Sequence, residues 1–199
     1  AQVLTSANSA GFTPLHQALI KGSQVNLGLY LDLLKDCDSE MRVQVLTRAN
    51  SAGFTPLHEA LKEGNAANLS LYLKLLKGCE KALQTKVLTS ANSAGFTPLH
   101  DALIAGNPVN LGLYLDLLTK CDKPLQVQVL TSANKAGYTS MHQALGSKNA
   151  IEISSILLEF VNSNFCDSDA NEIIQHLLYT RIKNYLPSAN RKTHGNELA

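Results

Sequence analysis

Four histidines recur at a fixed interval in this sequence: His16, His58, His100 and His142 stand 42 residues apart. Imidazoles can ligate a metal or move a proton, and the outcome depends on whether they converge. A shared ion needs its donors within about 2 Å. Side chains at one phase of a stacked repeat stand about 10 Å apart along the stack, the spacing of packed helices. No metal, cofactor or catalytic role is therefore expected of them. His176 and His194 have no evident partners in the sequence.

Cys37, Cys79 and Cys121 follow the same interval. Stacking would hold their Cα atoms beyond the roughly 7 Å limit of a disulfide, so free, partly buried thiols are expected, as in a reducing, intracellular compartment. Cys166 lies outside the phase and could pair differently. Glu59 and Asp101 also share a phase and could pass for an acid pair, but Gln17 and Gln143 hold that phase elsewhere. They read as solvated helix positions. The chain has no glycine-rich phosphate loop, no Cys-x-x-Cys, no His-Glu-x-x-His and no nucleophile elbow. Catalysis is not expected.

Whatever these residues do, a repeat must position them. Val3-Leu4-Thr5-Ser6-Ala7-Asn8 returns at Val45, Val87 and Val129, a period of 42 residues. The first and third copies differ at ten positions, Gln17 against Asp101 and Lys21 against Ala105 among them. The units run 1–44, 45–86 and 87–128, with a degenerate fourth at 129–170 and a C-terminal capping helix and tail at 171–199. With 199 residues, 45% hydrophobic and 17% charged, the chain is in the globular range. Seventeen basic residues against sixteen acidic ones give no field for a nucleic-acid backbone. No apolar run approaches the 18 or so residues of a membrane span, and no signal peptide is visible.

Within a unit, Thr13-Pro14-Leu15-His16 reads as a capped helix start with Pro first, ending near Gly22. After a turn, Asn26 precedes Leu27, Leu29, Tyr30, Leu31, Leu33 and Leu34. That pattern is apolar on nearly all sides and predicts a second helix buried on both flanks. Asp38 to Thr47 reads as a third short helix, supported by Asp122 and Pro124 placed as cap and first turn in the third unit. The alternation of Val43-Gln44-Val45 leaves an extended hairpin as the rival. In the last segment Ile173, Ile174, Leu177, Leu178, Ile182 and Leu186 form an apolar stripe, as a cap on the open end requires. A tail that includes Arg191 and Lys192 follows Pro187. Ala1-Gln2 resembles the Val-Gln that closes the first and third units, so the first unit shows no dedicated cap and the array is expected to belong to a larger protein.

Gly11-Phe12-Thr13-Pro14-Leu15-His16-Gln17-Ala18 and its counterparts at 53–60 and 95–102, each followed by a leucine-rich second helix, resemble the ankyrin repeat. The fourth copy, Gly137-Tyr138-Thr139-Ser140-Met141-His142, loses Pro and Leu. The likeness covers about Val3 to Val161. The period is 42 rather than the family's usual 33, and Cys37, Cys79 and Cys121 stand where the family usually places Gly. The resemblance implies an all-α, ankyrin-type helical repeat solenoid, here with a third short helix per repeat in place of a long finger-like hairpin. It also implies that the four histidines join neighbouring repeats through hydrogen bonds at the helix starts. The near-identical units are similar in style to those of ankyrin proteins from intracellular bacterial pathogens.

Residues at one phase form a ladder along one face, and Phe12, Phe54, Phe96 and Tyr138 make an aromatic one, joined by Ile20 and Ile104. In ankyrin proteins the position after the turn glycine commonly points toward partners, and interfaces are enriched in aromatic anchors. The alternative is that each ring packs on its neighbour and shields the stack. Lys21, Lys62, Glu63, Ala105, Ser147 and Lys148 vary in charge between units and would set the choice of partner. The expected function is binding of another protein by a monomeric scaffold. The pathogen likeness implies a bacterial effector that docks a host protein, acting in the host cytoplasm. Two other roles stand beside it: the substrate-targeting arm of a larger multidomain enzyme, and a structural, self-associating array.

Overall fold

Each Thr-Pro pair starts a helix, and three helices of rising and falling length fill each of the first three periods. The computed structural model describes residues 2–185, with side chains for 3–178. In order the helices are α1 (Gln2–Thr5), α2 (Pro14–Lys21), α3 (Gln24–Lys35), α4 (Ser39–Thr47), α5 (Pro56–Lys62), α6 (Ala66–Lys77) and α7 (Lys81–Thr89). They continue with α8 (Pro98–Ala105), α9 (Pro108–Leu118), α10 (Lys123–Thr131), α11 (Ser140–Ala144), α12 (Ala150–Asn164) and α13 (Asp167–Tyr185). Among the described residues the protein is all-helical, with one isolated β-bridge between Ala133 and Thr139.

Local chemistry fixes the starts. Thr13, Thr55, Thr97 and Thr139 are N-caps of the first helices, and the histidine three residues on completes each capping box. Histidine takes the place that Glu or Gln holds in the usual box. Ser23, Asn65 and Asn107 cap the second helices, accepting at 3.2 Å, 2.8 Å and 3.2 Å from the amides of Asn26, Asn68 and Asn110. The second helix thus starts a turn before Asn26. Asp38 and Asp122 cap α4 and α10, with Pro124 in the first turn. The segment read either as a helix or as a hairpin is a helix in the first three units.

The helices stack in three columns: α2, α5, α8 and α11; α3, α6, α9 and α12; and α4, α7, α10 and α13. The core lies between columns, where Leu15, Leu27, Leu34 and Leu46 and their counterparts are buried. In the fourth unit α11 shrinks to five residues and α12 grows to fifteen. The last helix starts at Asp167, ahead of the expected segment, and packs on α10, α11 and α12. Ile173 and Leu177 are buried there. The Ile182 side chain and Leu186 lie outside the described residues, as do His194 and the tail.

The second helix departs from its expected two-sided burial in the first unit. Leu29 is 63% exposed and Leu33 59%, because the column that covers the equivalent side chains in later units has no member ahead of α3.

Tight turns join the units. In each, an Asn accepts two backbone amides, as Asn50 Oδ1 does from Ala52 and Phe54 at 3.0 Å. The next turn then docks on it: Ser51, Ser93 and Lys135 amides donate to the carbonyls of Ala10, Ala52 and Ala94. At Gly53, φ is +84° and a Cβ would stand 2.5 Å from the Ser93 nitrogen. Both the left-handed backbone and the approach of the next unit demand glycine.

Candidate interaction surface

The aromatic ladder stands beside these turns. Phe12, Phe54, Phe96 and Tyr138 are all half-buried. Each ring meets the histidine of its own unit edge-on, with centroids 5.5 Å, 5.8 Å, 5.6 Å and 5.7 Å apart. That geometry suits the quadrupoles of two aromatic rings. Lys62 Nζ lies 5.4 Å from the Phe54 ring centre and 3.5 Å from Glu63. The structure thus brings Phe54, Lys62 and Glu63 together. Ile104 is exposed and Ile20 half-buried, each at the end of its first helix.

Behind the three phenylalanine rings the imidazole is committed at both nitrogens. The Thr55 amide donates to His58 Nδ1 at 3.1 Å, so the proton resides on Nε2, which donates to the Phe96 carbonyl at 3.0 Å. His16 and His100 repeat this toward Phe54 and Tyr138 at 3.0 Å each. Neither lone pair is left for a metal in these three. Burial pushes the His58 imidazole down to about 4, against the backbone hydrogen bond that favours its charged form. His16 and His100 are lowered for the same reason. In the fourth unit, His142 Nδ1 accepts from the Thr139 amide at 3.2 Å, while Thr139 Oγ1 donates to the Leu177 carbonyl at 2.7 Å and ties in α13. Among the described residues, no group of three His, Cys, Asp or Glu side chains could hold a metal ion.

The two carboxylates are not solvated, contrary to expectation. Glu59 and Asp101 are each 5% exposed, because the preceding unit covers that side of the first helix. Glu59 accepts from Asn50 Nδ2 at 3.0 Å. Asp101 is one methylene shorter, and its Oδ2 has no partner. Burial raises Asp101 to about 7, with Lys62 opposing and Glu59 adding to the shift. Glu59 is raised as well, again by burial. The glutamines at this phase in the first and fourth units masked the burial, since a varying polar position reads as surface.

The four cysteines are free thiols. Cys37, Cys79 and Cys121 donate to carbonyls one turn back, on Leu33, Leu75 and Leu117, and burial raises Cys79 and Cys121. Cys166 is exposed at the mouth of a groove of about 480 Å³, lined also by Lys123, Phe165, Asp169 and His176. Lys123 Nζ sits 4.5 Å from the Phe165 ring centre, and His176 donates to the Thr131 carbonyl at 2.9 Å.

Two features lay outside the sequence-based expectations. Asn68 Nδ2 donates to the Gly22 carbonyl at 2.9 Å and to Ala18 at 3.2 Å, clamping the end of the preceding first helix. Asn110 does the same to Gly64 at 3.0 Å. Their recurrence at one phase with Asn26 was the available signal. An apolar row, Val25, Val109 and Ile151, is exposed where the second helices begin. Among the described residues no helix is long and apolar enough to cross a membrane. No family model matches the chain, and no curated protein matches it either.

Proposed function

We propose that this chain is a protein-binding scaffold: an ankyrin-type solenoid that docks a partner protein along the turn edge of its repeats. One observation carries the reading. The aromatic rungs stand at fixed phase, each held edge-on by an imidazole, and the first three imidazoles also hydrogen-bond the next unit. A row ordered in this way loses little conformational freedom on binding. Half-buried aromatic rings are suited to act as anchors. Lys62 and Glu63, beside Phe54, supply the charge pattern that distinguishes partners, and Ile20 and Ile104 extend the apolar contact. The scaffold acts as a monomer, and no cofactor takes part.

The test is affinity capture from a eukaryotic lysate with the native chain and with a Phe54→Ala, Phe96→Ala, Tyr138→Ala variant of unchanged helical content. A partner held by the native chain and lost from the variant is expected. Equal capture by both would move the docking face elsewhere.

A further inference from the structure

A pair of positions on the second helices is neutral in the first unit and cationic in the second. Lys35 Nζ pairs with Asp32 at 2.7 Å. One period on, Lys74 and Lys77 hold these positions, two like charges a turn apart on α6, an arrangement that by itself works against the helix. In the third unit Asp116 keeps the carboxylate and Thr119 replaces the lysine, its hydroxyl donating to the Asp116 main-chain carbonyl at 2.8 Å. At the next position Lys120 stands where the first unit has Asp36 and the second Gly78. The helix dipole favours a lysine in the last turn, which accounts for Lys77 and Lys35. It does not account for Lys74, because Asp32 and Asp116 hold the same place in the neighbouring units.

These differences meet in one place. Lys74, Lys77 and Lys120 line an open groove of about 570 Å³ between α6 and α9, over Leu73, Leu113 and Leu117. All three lysines are exposed, and among the described residues none makes an ion pair or a side-chain hydrogen bond. Asp116 is the one carboxylate among the described residues that line the groove. Three lysines against one aspartate leave an excess of two positive charges there, in a chain whose whole net charge is +1. Leu73 and Leu117 are buried beneath, and an apolar floor of this kind focuses the field of the cations above it.

We propose that this groove docks an acidic segment of a protein partner. The class of partner rests on the scaffold reading; the site does not depend on the aromatic ladder, which other elements carry. Spacing favours a segment over a single anion. Lys74 and Lys77 stand one turn apart on α6, and Lys120 follows the neighbouring helix, about 8–10 Å across, so successive carboxylates meet the three cations better than one phosphate does. Lysine offers a point charge without the fixed fork of arginine, which suits a segment read by its charge. Binding is therefore strongly salt-dependent.

Fluorescence anisotropy of a labelled hexaglutamate peptide with the full chain tests the site. The variant Lys74→Asp, Lys120→Asp places at both positions the residue that the first unit carries there, and circular dichroism checks that its helical content is unchanged; Lys74→Gln, Lys120→Gln gives the same reading by neutralisation. The expected result is saturable binding to the native chain at low salt, weakened at least about tenfold in the first variant and no more than about twofold in Lys21→Asp, Lys148→Asp, which alters net charge equally. The Phe54→Ala, Phe96→Ala, Tyr138→Ala variant should bind the peptide as the native chain does, so the ladder and the groove fail separately. Absence of saturable binding, or equal weakening in both aspartate variants, overturns the proposal. So does displacement of the peptide by inorganic phosphate at the peptide's own concentration, which would mark a single-anion site. Binding of phosphatidylserine vesicles in place of the peptide, lost in Lys74→Asp, Lys120→Asp, would overturn it in favour of a membrane surface.

Discussion

His58 and Phe96, 38 residues apart, are joined by a 3.0 Å hydrogen bond from Nε2 to the main-chain carbonyl, while the same imidazole caps its own helix through the Thr55 amide. One side chain therefore couples a local start signal to the junction between two units. His58→Ala should cost at least about 2 kcal/mol, because it leaves buried groups unsatisfied and opens a cavity. His142→Ala should leave the first three units stacked. Chemical denaturation of both variants, followed by circular dichroism, checks the difference.

The buried imidazoles set an acid limit. The His58 pKa falls from 6.5 unfolded to about 4 folded, so between those values the unfolded chain binds the extra proton and stability drops as pH falls. Below about 4 both states are protonated and the loss levels off. The full effect is of order 3 kcal/mol for this residue, and His16 and His100 add in the same direction. Thermal unfolding from pH 7.5 to 4 should show Tm falling. In His58→Ala, the part of the fall between 6.5 and 4 should shrink.

Asp101 acts with the opposite sign. Its pKa rises from 3.8 to about 7 on folding, so its contribution is full below 3.8 and is lost as pH rises through 7. Asp101→Asn should raise Tm at pH 8, where the native chain must bury an ionised carboxylate whose Oδ2 is unpartnered. At pH 5 the gain should be smaller, because only part of the loss between 3.8 and 7 has accrued. Equal gains at both pH values would show that packing, and not ionisation, sets the difference.

The legible part of this protein is what repeats locally. Thr13 and Pro14 declare a helix start, Asp122 and Pro124 a third helix, and the shared phase of His16, His58 and His100 a common role, because caps and hydrogen-bonding boxes are short-range chemistry. Burial was legible only where composition and neighbour agreed. Asp101 looked like surface because its phase varies between Gln, Glu and Asp, yet the unit ahead covers it. Leu33 looked like core because its sequence matches that of Leu117, yet nothing among the described residues covers it. Both are properties of the neighbouring unit, which a single unit's sequence does not record.

The two faces of α3 can be separated by a pair of truncations. Leu31 is buried among the core side chains, so Leu31→Ala should cost about 2–5 kcal/mol. Leu29, two positions earlier, is exposed and its truncation should fall within about 0.5 kcal/mol. Urea unfolding of the two single variants reads the ratio directly, and similar costs would mean that a partner surface covers Leu29 in solution.

Two glycines of different surroundings make the last test. Gly28 lies inside α3, where a Cβ would meet nothing within 4 Å, so Gly28→Ala should stabilise by about 1 kcal/mol through helix propensity alone. Gly53 is left-handed, and its Cβ would press on the Ser93 amide that docks on Ala52. Gly53→Ala must therefore either shift the junction or lose the hydrogen bond, at a cost of about 1–3 kcal/mol from backbone strain alone. Because the damage is at a junction, amide exchange in the Gly53→Ala variant should quicken first at Ser93 and its turn. A uniform rise across the second unit would instead mean that the strain unfolds the unit itself.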